Sequence, residues 1–307
     1  MTAADVSSDQ TKRRPGKRLV KQVRELGLPA PFELERFHDW LERHSQRRIR
    51  MIAAALPAGG PSGALIRRPA ADYLYYEEQT SPFHRAHIVL CLAAHIVLGQ
   101  GSPAPVDMRL MPDVSPQLVR RMLGASRDGV ISSLQAEAFA YLALGRPGPR
   151  WLPLAAWRDL RRLGPLTAGL ARTVREENEG TRRWGRLPGR FRLYRRVIGI
   201  RDAMLTLTPY RDARVADEAM AGGQAAGLAG DDLTAAIEAA VLKAAARQKG
   251  TGVLPHRPDV SVRGPSGLDA DLRSETAWLV LVSGAWARTS SVTLRPEPSC
   301  SGTTSSM

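Results

Sequence analysis

Residues 84–100 read H-R-A-H-I-V-L-C-L-A-A-H-I-V-L-G-Q, three imidazoles and a thiol on an otherwise apolar run. On a helix His87, Cys91 and His95 recur every four residues, and His84 precedes His87 by three, so the four side chains share one stripe. Imidazole nitrogen and thiolate sulfur both ligate zinc, and neighbouring turns of a helix can share one ion. A catalytic zinc needs a third protein ligand, and a hydrolytic one needs a base beside the bound water. No carboxylate occurs between Glu78 and Asp107. Two readings of the residues stand: part of a metal site, or a buried helix whose imidazoles are hydrogen-bonded.

The elements that must position this helix can be read from its flanks. Ser81-Pro82 supplies an N-cap and a first-turn proline, and no breaker follows before Gly99, which places His84 to Leu98 on one helix. Upstream, Leu19 to Leu26 is amphipathic. Pro31 opens P-F-E-L-E-R-F-H-D-W-L, where Phe32, Leu34, Phe37, Trp40 and Leu41 keep helical spacing. Ile49 to Leu56 reads as a strand, the turn-rich P-A-G-G-P-S-G follows, and A-D-Y-L-Y-Y-E-E is extended, so a hairpin or small sheet precedes the histidine helix. Downstream, Ser115 to Leu123 and Ile131 to Leu144 read as helices.

The Pro/Gly-rich stretch G-R-P-G-P-R-W-L-P, residues 145–153, is the strongest boundary signal. Beyond it every apolar pattern is helical. Leu193, Val197, Ile200, Met204 and Leu207 form one stripe ahead of Pro209. Leu233, Ile237 and Val241 form a second, and Leu272, Leu279, Val282 and Trp286 a third. Three such faces can bury one another as a helical bundle, with a Pro/Gly-rich loop at 250–267.

The chain has 44 basic and 30 acidic residues, a net charge of +14, which favours anionic partners such as nucleic acid or an acidic protein surface; GC-rich coding produces the same arginine content. Only Cys91 and Cys300 are present, which excludes a disulfide framework or a C-x-x-C knuckle and fits the cytoplasm. No stretch approaches the roughly 20 apolar residues of a membrane span, so no membrane insertion is expected.

The stretch A-D-Y-L-Y-Y-E-E-Q-T-S-P-F-H-R-A-H-I-V-L-C-L-A-A-H-I-V-L-G-Q resembles the strand and active-site helix of ImmA/IrrE-type zinc metallopeptidase-like proteins, in particular the actinobacterial group described as toxin components of toxin–antitoxin systems. That family carries D-Y-x-x-Y-E-x-x-T-S, then H-x-x-H and H-E-L-x-H. Aligned to it, Cys91 falls at the first zinc histidine, Leu92 at the catalytic glutamate and His95 at the second histidine; Gln100 replaces the trailing histidine. The third ligand corresponds to Gln135, with Glu137 and His87 as alternatives. Cysteine retains zinc-binding capacity, but leucine cannot accept a proton, a role that contributes roughly a hundredfold to ten-thousandfold in rate. The resemblance implies a degenerate site with no catalytic residues, in which no cofactor is expected and zinc stays an open alternative.

The segment W-G-R-L-P-G-R-F-R-L-Y-R-R-V-I-G-I-R-D-A-M-L-T-L-T-P-Y, with D-A-R-V-A-D-E-A, G-D-D-L-T-A-A-I-E-A-A-V-L-K-A-A and L-R-S-E-T-A-W-L-V-L-V-S-G-A-W-A-R, resembles a C-terminal domain of unknown function in actinobacterial multi-pass proteins described as transporters. Eight arginines lie between Arg182 and Arg201. Arg192, Arg195 and Arg196 lie off the apolar stripe beside Phe191 and Tyr194, a pattern that suits anion or nucleic-acid binding, or a solvated face with some arginines paired to acids such as Asp202 and Glu176.

These readings give a mainly helical chain: a disordered basic N-terminus (1–15), an α+β zincin-like domain (16–145), a linker (146–153), an all-α helical-bundle domain (154–293) and a disordered tail (294–307). The expected function is a non-catalytic regulatory or interaction protein with a protein partner, in a toxin–antitoxin-like or stress-regulatory setting. The alternatives are a zinc peptidase with altered ligands that cleaves a regulator, and nucleic-acid binding through the arginine-rich helix.

Overall fold

The computed structural model describes residues 17–56, 61–99, 129–144, 152–171, 189–252, 254 and 271–288. The expectations for residues 1–15, 115–123 and 294–307, for Gln100 and for most of the linker fall outside them. The described chain is mainly helical, with one small mixed sheet.

Helix α1 (Lys17–Glu25) precedes α2 (Leu34–Ser45). The second helix begins three residues after Pro31, because Glu33 is extended at φ −131° and ψ 133°. Phe32, just before that cap, packs on Phe37 one turn in, with ring centroids 5.4 Å apart, a hydrophobic staple that fixes how the chain enters the helix.

Strands β1 (Ile49–Ala54), β2 (Gly63–Arg67) and β3 (Asp72–Glu77) form a sheet in the order β1-β3-β2. Strand β3 runs parallel to β1 and antiparallel to β2. The hairpin is therefore β2-β3, and the strand expected at Ile49 lies on the far side of β3. Side chains alternate across the sheet. Ile49, Met51, Leu65 and Leu74 share one face, and α2 and α3 (Pro82–Val97) cover it with Phe37, Leu41, Val89 and Leu90 in a common core. Gly63 is required for this fit, since a Cβ there would lie 2.6 Å from Ile88 Cγ2.

Helix α4 (Gly129–Leu144) lies along α3. It contributes Ala136, Phe139 and Ala140 to the sheet-side core, while Tyr141 and Leu144 also reach a second core. That second core is built by α5 (Leu152–Arg162), α6 (Gly164–Ala171), α7 (Gly189–Thr206), α9 (Gly230–Thr251) and α10 (Leu272–Arg288). Helix α5 starts inside the stretch read as linker, with Pro153 in its first turn, a position where a missing N–H costs nothing. All five members of the Leu193 stripe are buried. The lone Phe83, from the first turn of α3, is inserted in this core too.

A 3-10 turn (Thr208–Tyr210) leads from α7 to α8 (Ala213–Ala225), which pairs with α9. Asp212 caps α8 through a bond from the Arg214 N–H at 2.9 Å. Helix α9 extends to Thr251, into the loop expected from residue 250, and stops at Gly252 with φ +73°, a left-handed cap that glycine adopts without a Cβ clash.

Candidate functional site

His84 and His87 of α3 face α7, and the two helices meet in a buried polar cluster. Ser81 caps α3 by accepting the His84 backbone N–H at 3.2 Å. This sets the first turn so that His84, wholly buried, lies between Thr80 and Asp202. Its Nδ1 hydrogen-bonds the Thr80 hydroxyl at 2.9 Å, and its Nε2 lies 3.1 Å from Asp202 Oδ1 without hydrogen-bond alignment. One turn on, the His87 ring stacks parallel to that of His84, centroids 5.9 Å apart. His87 Nδ1 shares a 2.5 Å hydrogen bond with the Tyr194 hydroxyl of α7. Cys91 Sγ lies 3.6 Å from His87 Nε2.

Tyr194 is held by rings on three sides: Phe83 and Tyr141 meet it edge-on at 5.9 and 5.3 Å, and Phe191 stacks at 6.1 Å. Such pairs add stabilisation beyond their buried area. Beside them Arg195 Nε pairs with Glu137 at 2.8 Å, joining α7 to α4.

Burial disfavours charge on His87, Cys91 and Tyr194. Burial, and then the neighbouring His84, pull the His87 pKa down to about 3, against the weaker opposing charge of Asp202. Burial pushes the Cys91 thiol well above its ordinary value, helped by the Glu137 and Asp202 charges. The Tyr194 hydroxyl is raised for the same first reason. A cysteine nucleophile works as a thiolate beside an imidazolium or another positive field. Here thiol, imidazole and phenol are all uncharged at neutral pH, so the arrangement bonds two helices and does not activate sulfur.

The residues singled out by the peptidase resemblance have different surroundings. Leu92 packs beside Gly63 of β2. His95 lies near the end of α3, where Arg67 donates to its carbonyl at 3.2 Å. Burial and then the Arg67 charge lower its pKa. Gln135 is exposed, and Glu137 is engaged by Arg195. Among the described residues no three His, Cys, Asp or Glu side chains gather as a metal-holding group. Cys91 points its sulfur at the His87 ring that Tyr194 already holds, and a cation beside His95 would meet the Arg67 charge. Among the described residues no third ligand joins His87 and Cys91.

The three arginines proposed for anions also diverge. Arg192 is exposed, Arg195 is paired with Glu137, and Arg196 donates to Thr167 Oγ1 at 3.2 Å, with burial and then the Arg192 charge lowering its pKa.

Two buried charge pairs escaped the sequence reading. Arg201 of α7 donates from Nε to Glu275 of α10, both almost wholly buried. Arg211, after the 3-10 turn, makes a bidentate pair with Glu238 of α9 at 3.0 and 2.6 Å. Their signal lies in the periodicity. Arg201 follows Val197 by four, Glu238 precedes Leu242 by four, and Glu275 precedes Leu279 by four, which places charge on otherwise apolar stripes. Both arginines line a small pocket with Gln79, Thr80, Met204, Leu205 and Thr208.

Fold and site together define a mainly helical protein in which a sheet-bearing unit is joined to a bundle by a buried polar cluster. Residues 150–290, just under half of the chain, match a family described as "Family of unknown function (DUF6545)". No curated protein matches the chain. No solved structure matches it. No described helix is long and apolar enough to cross a membrane.

Proposed function

We propose that this chain is a non-catalytic regulatory protein whose N-terminal unit is a degenerate metallopeptidase-like domain retained for its packing. In this reading the α+β unit has a zincin-like ancestry and the DUF6545-like bundle is bonded to its former active-site helix. The observation that carries it is the use of His87 and Cys91. His87, uncharged, bonds the Tyr194 hydroxyl of α7 and the Cys91 thiol lies against the His87 ring, while Leu92, where the family's base would stand, packs against β2. The bundle thus fixes the helix in place of a metal. The partner is a protein in the cytoplasm, and a toxin–antitoxin-like or stress-regulatory locus is the setting that the resemblance suggests.

Metal content and proteolysis test this directly. The purified full chain is expected to hold well under about 0.1 zinc per molecule after dialysis and to show no chelator-sensitive cleavage of a co-encoded regulator. About one zinc per chain, with cleavage abolished by chelation, overturns the reading in favour of a peptidase with altered ligands.

A further inference from the structure

The second face of the sheet carries a different set of residues. The strand register places Arg50, Tyr73 and Ile66 in one row across it, and Ile52, Tyr75 and Ala64 in the next. The helices α2 and α3 that pack on the sheet both lie against the opposite face, the one bearing Ile49, Leu65 and Leu74. Tyr73 and Tyr75, two apart on the central strand, stand side by side on this second face. Their rings are nearly parallel, 16° apart in plane with centroids 6.5 Å apart, and both are partly exposed.

Cations flank this aromatic pair. The Arg68 guanidinium lies over the Tyr73 ring at 5.6 Å from its centroid, and exposed Arg50 adjoins Tyr73 from β1. Of the strand carboxylates, Asp72 lies on the opposite face and Glu77 lies beyond Tyr75 on this one. Asp72 is paired with Arg47 at 2.8 Å. Glu77 is buried, and its two oxygens accept the Leu56 and Gln79 backbone N–H groups at 2.9 and 2.8 Å. Among the described residues the face therefore presents two aromatic rings, an apolar surround and two exposed arginines, with Glu77 buried at its far end.

We propose that this face binds single-stranded nucleic acid, with two bases stacked on Tyr73 and Tyr75 and the backbone phosphates held by Arg50 and Arg68. Stacking suits unpaired bases because each offers a π-face, and a duplex keeps those faces internal. Charge complementarity selects a polyanion over a protein strand, in keeping with the chain's net charge of +14. The site lies on the sheet and is separate in sequence from the arginines of α7, and it does not depend on the regulatory reading above.

Fluorescence anisotropy of the full chain with a labelled oligouridylate of about twelve nucleotides at low salt tests it. Tyr73→Ala and Tyr75→Ala are each expected to weaken binding about tenfold, and Tyr→Phe at either position to stay within about twofold. Tyr73→Leu and Tyr75→Leu keep apolar bulk while removing the π-face. They are expected to weaken binding as the alanines do while retaining the native circular dichroism spectrum, so a loss of fold is distinguishable from a loss of stacking. Arg50→Ala with Arg68→Ala is expected to lower the slope of log affinity against log salt by roughly 1.4, two phosphates on a single strand. No binding at low salt, equal binding of a duplex of the same length, or binding that responds to Arg192→Ala and not to the tyrosines would each overturn the proposal.

Discussion

The polar cluster at α3 and the charge pairs inside the bundle are both buried, and both join helices distant in sequence, but they do so by opposite means. His87, Cys91 and Tyr194 reach one another as an uncharged set, with burial suppressing charge on each. Arg201 with Glu275, and Arg211 with Glu238, form ion pairs with almost no exposure. A neutral group that loses its partner forfeits a hydrogen bond, whereas a buried ion that loses its counter-ion is left in a medium that solvates it poorly. The bundle should therefore be the brittle region and its joint to the sheet-bearing unit the tolerant one.

The largest effect should come from splitting a charge pair. Glu238→Ala leaves the Arg211 guanidinium buried and is expected to cost about 3–5 kcal/mol in denaturant unfolding of the full chain. The double variant Arg211→Met with Glu238→Leu removes both charges and should recover most of that loss. A cost under about 1 kcal/mol for Glu238→Ala would remove the contrast with the neutral cluster.

Acidification probes the other side. With His87 held down to about 3 against an ordinary 6.5, the unfolded chain binds a proton there that the folded chain refuses. Stability is then complete above about pH 6.5 and falls as the pH drops through the window to about 3, at up to about 1.4 kcal/mol per pH unit. His87→Gln removes the titrating group and should flatten the curve by up to that slope. An unchanged curve would mean that His87 is not kept neutral by its surroundings.

These contrasts were unevenly legible in the sequence. The apolar stripes of α7, α9 and α10 were readable because each repeats at helical spacing over several turns, and the core follows them: Val197, Leu207, Val241, Leu279 and Val282 are all fully buried. The start of α3 was readable from Ser81-Pro82. Strand β2 was not, since G-A-L-I-R is short and follows turn residues, and its pairing depends on a register with β3 that local pattern does not encode. The stripe of His84, His87 and Cys91 was visible, but not what it faces. Tyr194 was grouped with the basic residues around it, and its meeting with His87 spans more than a hundred positions of chain. The buried pairs had a local signal, a charge in an apolar stripe, which the density of arginine obscured.

The smallest expected effect belongs to the joint itself. Tyr194→Phe keeps the ring against Phe83, Tyr141 and Phe191 and removes only the hydroxyl that meets His87. The loss should be about 1–2 kcal/mol, a hydrogen bond and a partly unsatisfied imidazole, well below that of Glu238→Ala. Cys91 gives a second readout at the same place. In a Cys300→Ser background its alkylation rate at neutral pH should be at least about tenfold slower in the native chain than in the unfolded one, because a raised thiol pKa leaves little thiolate. If Tyr194→Phe also accelerates that alkylation, the hydroxyl closes the cluster against water as well as bonding it. If instead Tyr194→Phe costs as much as Glu238→Ala, the joint is as brittle as the bundle, and the division into a brittle interior and a tolerant seam fails.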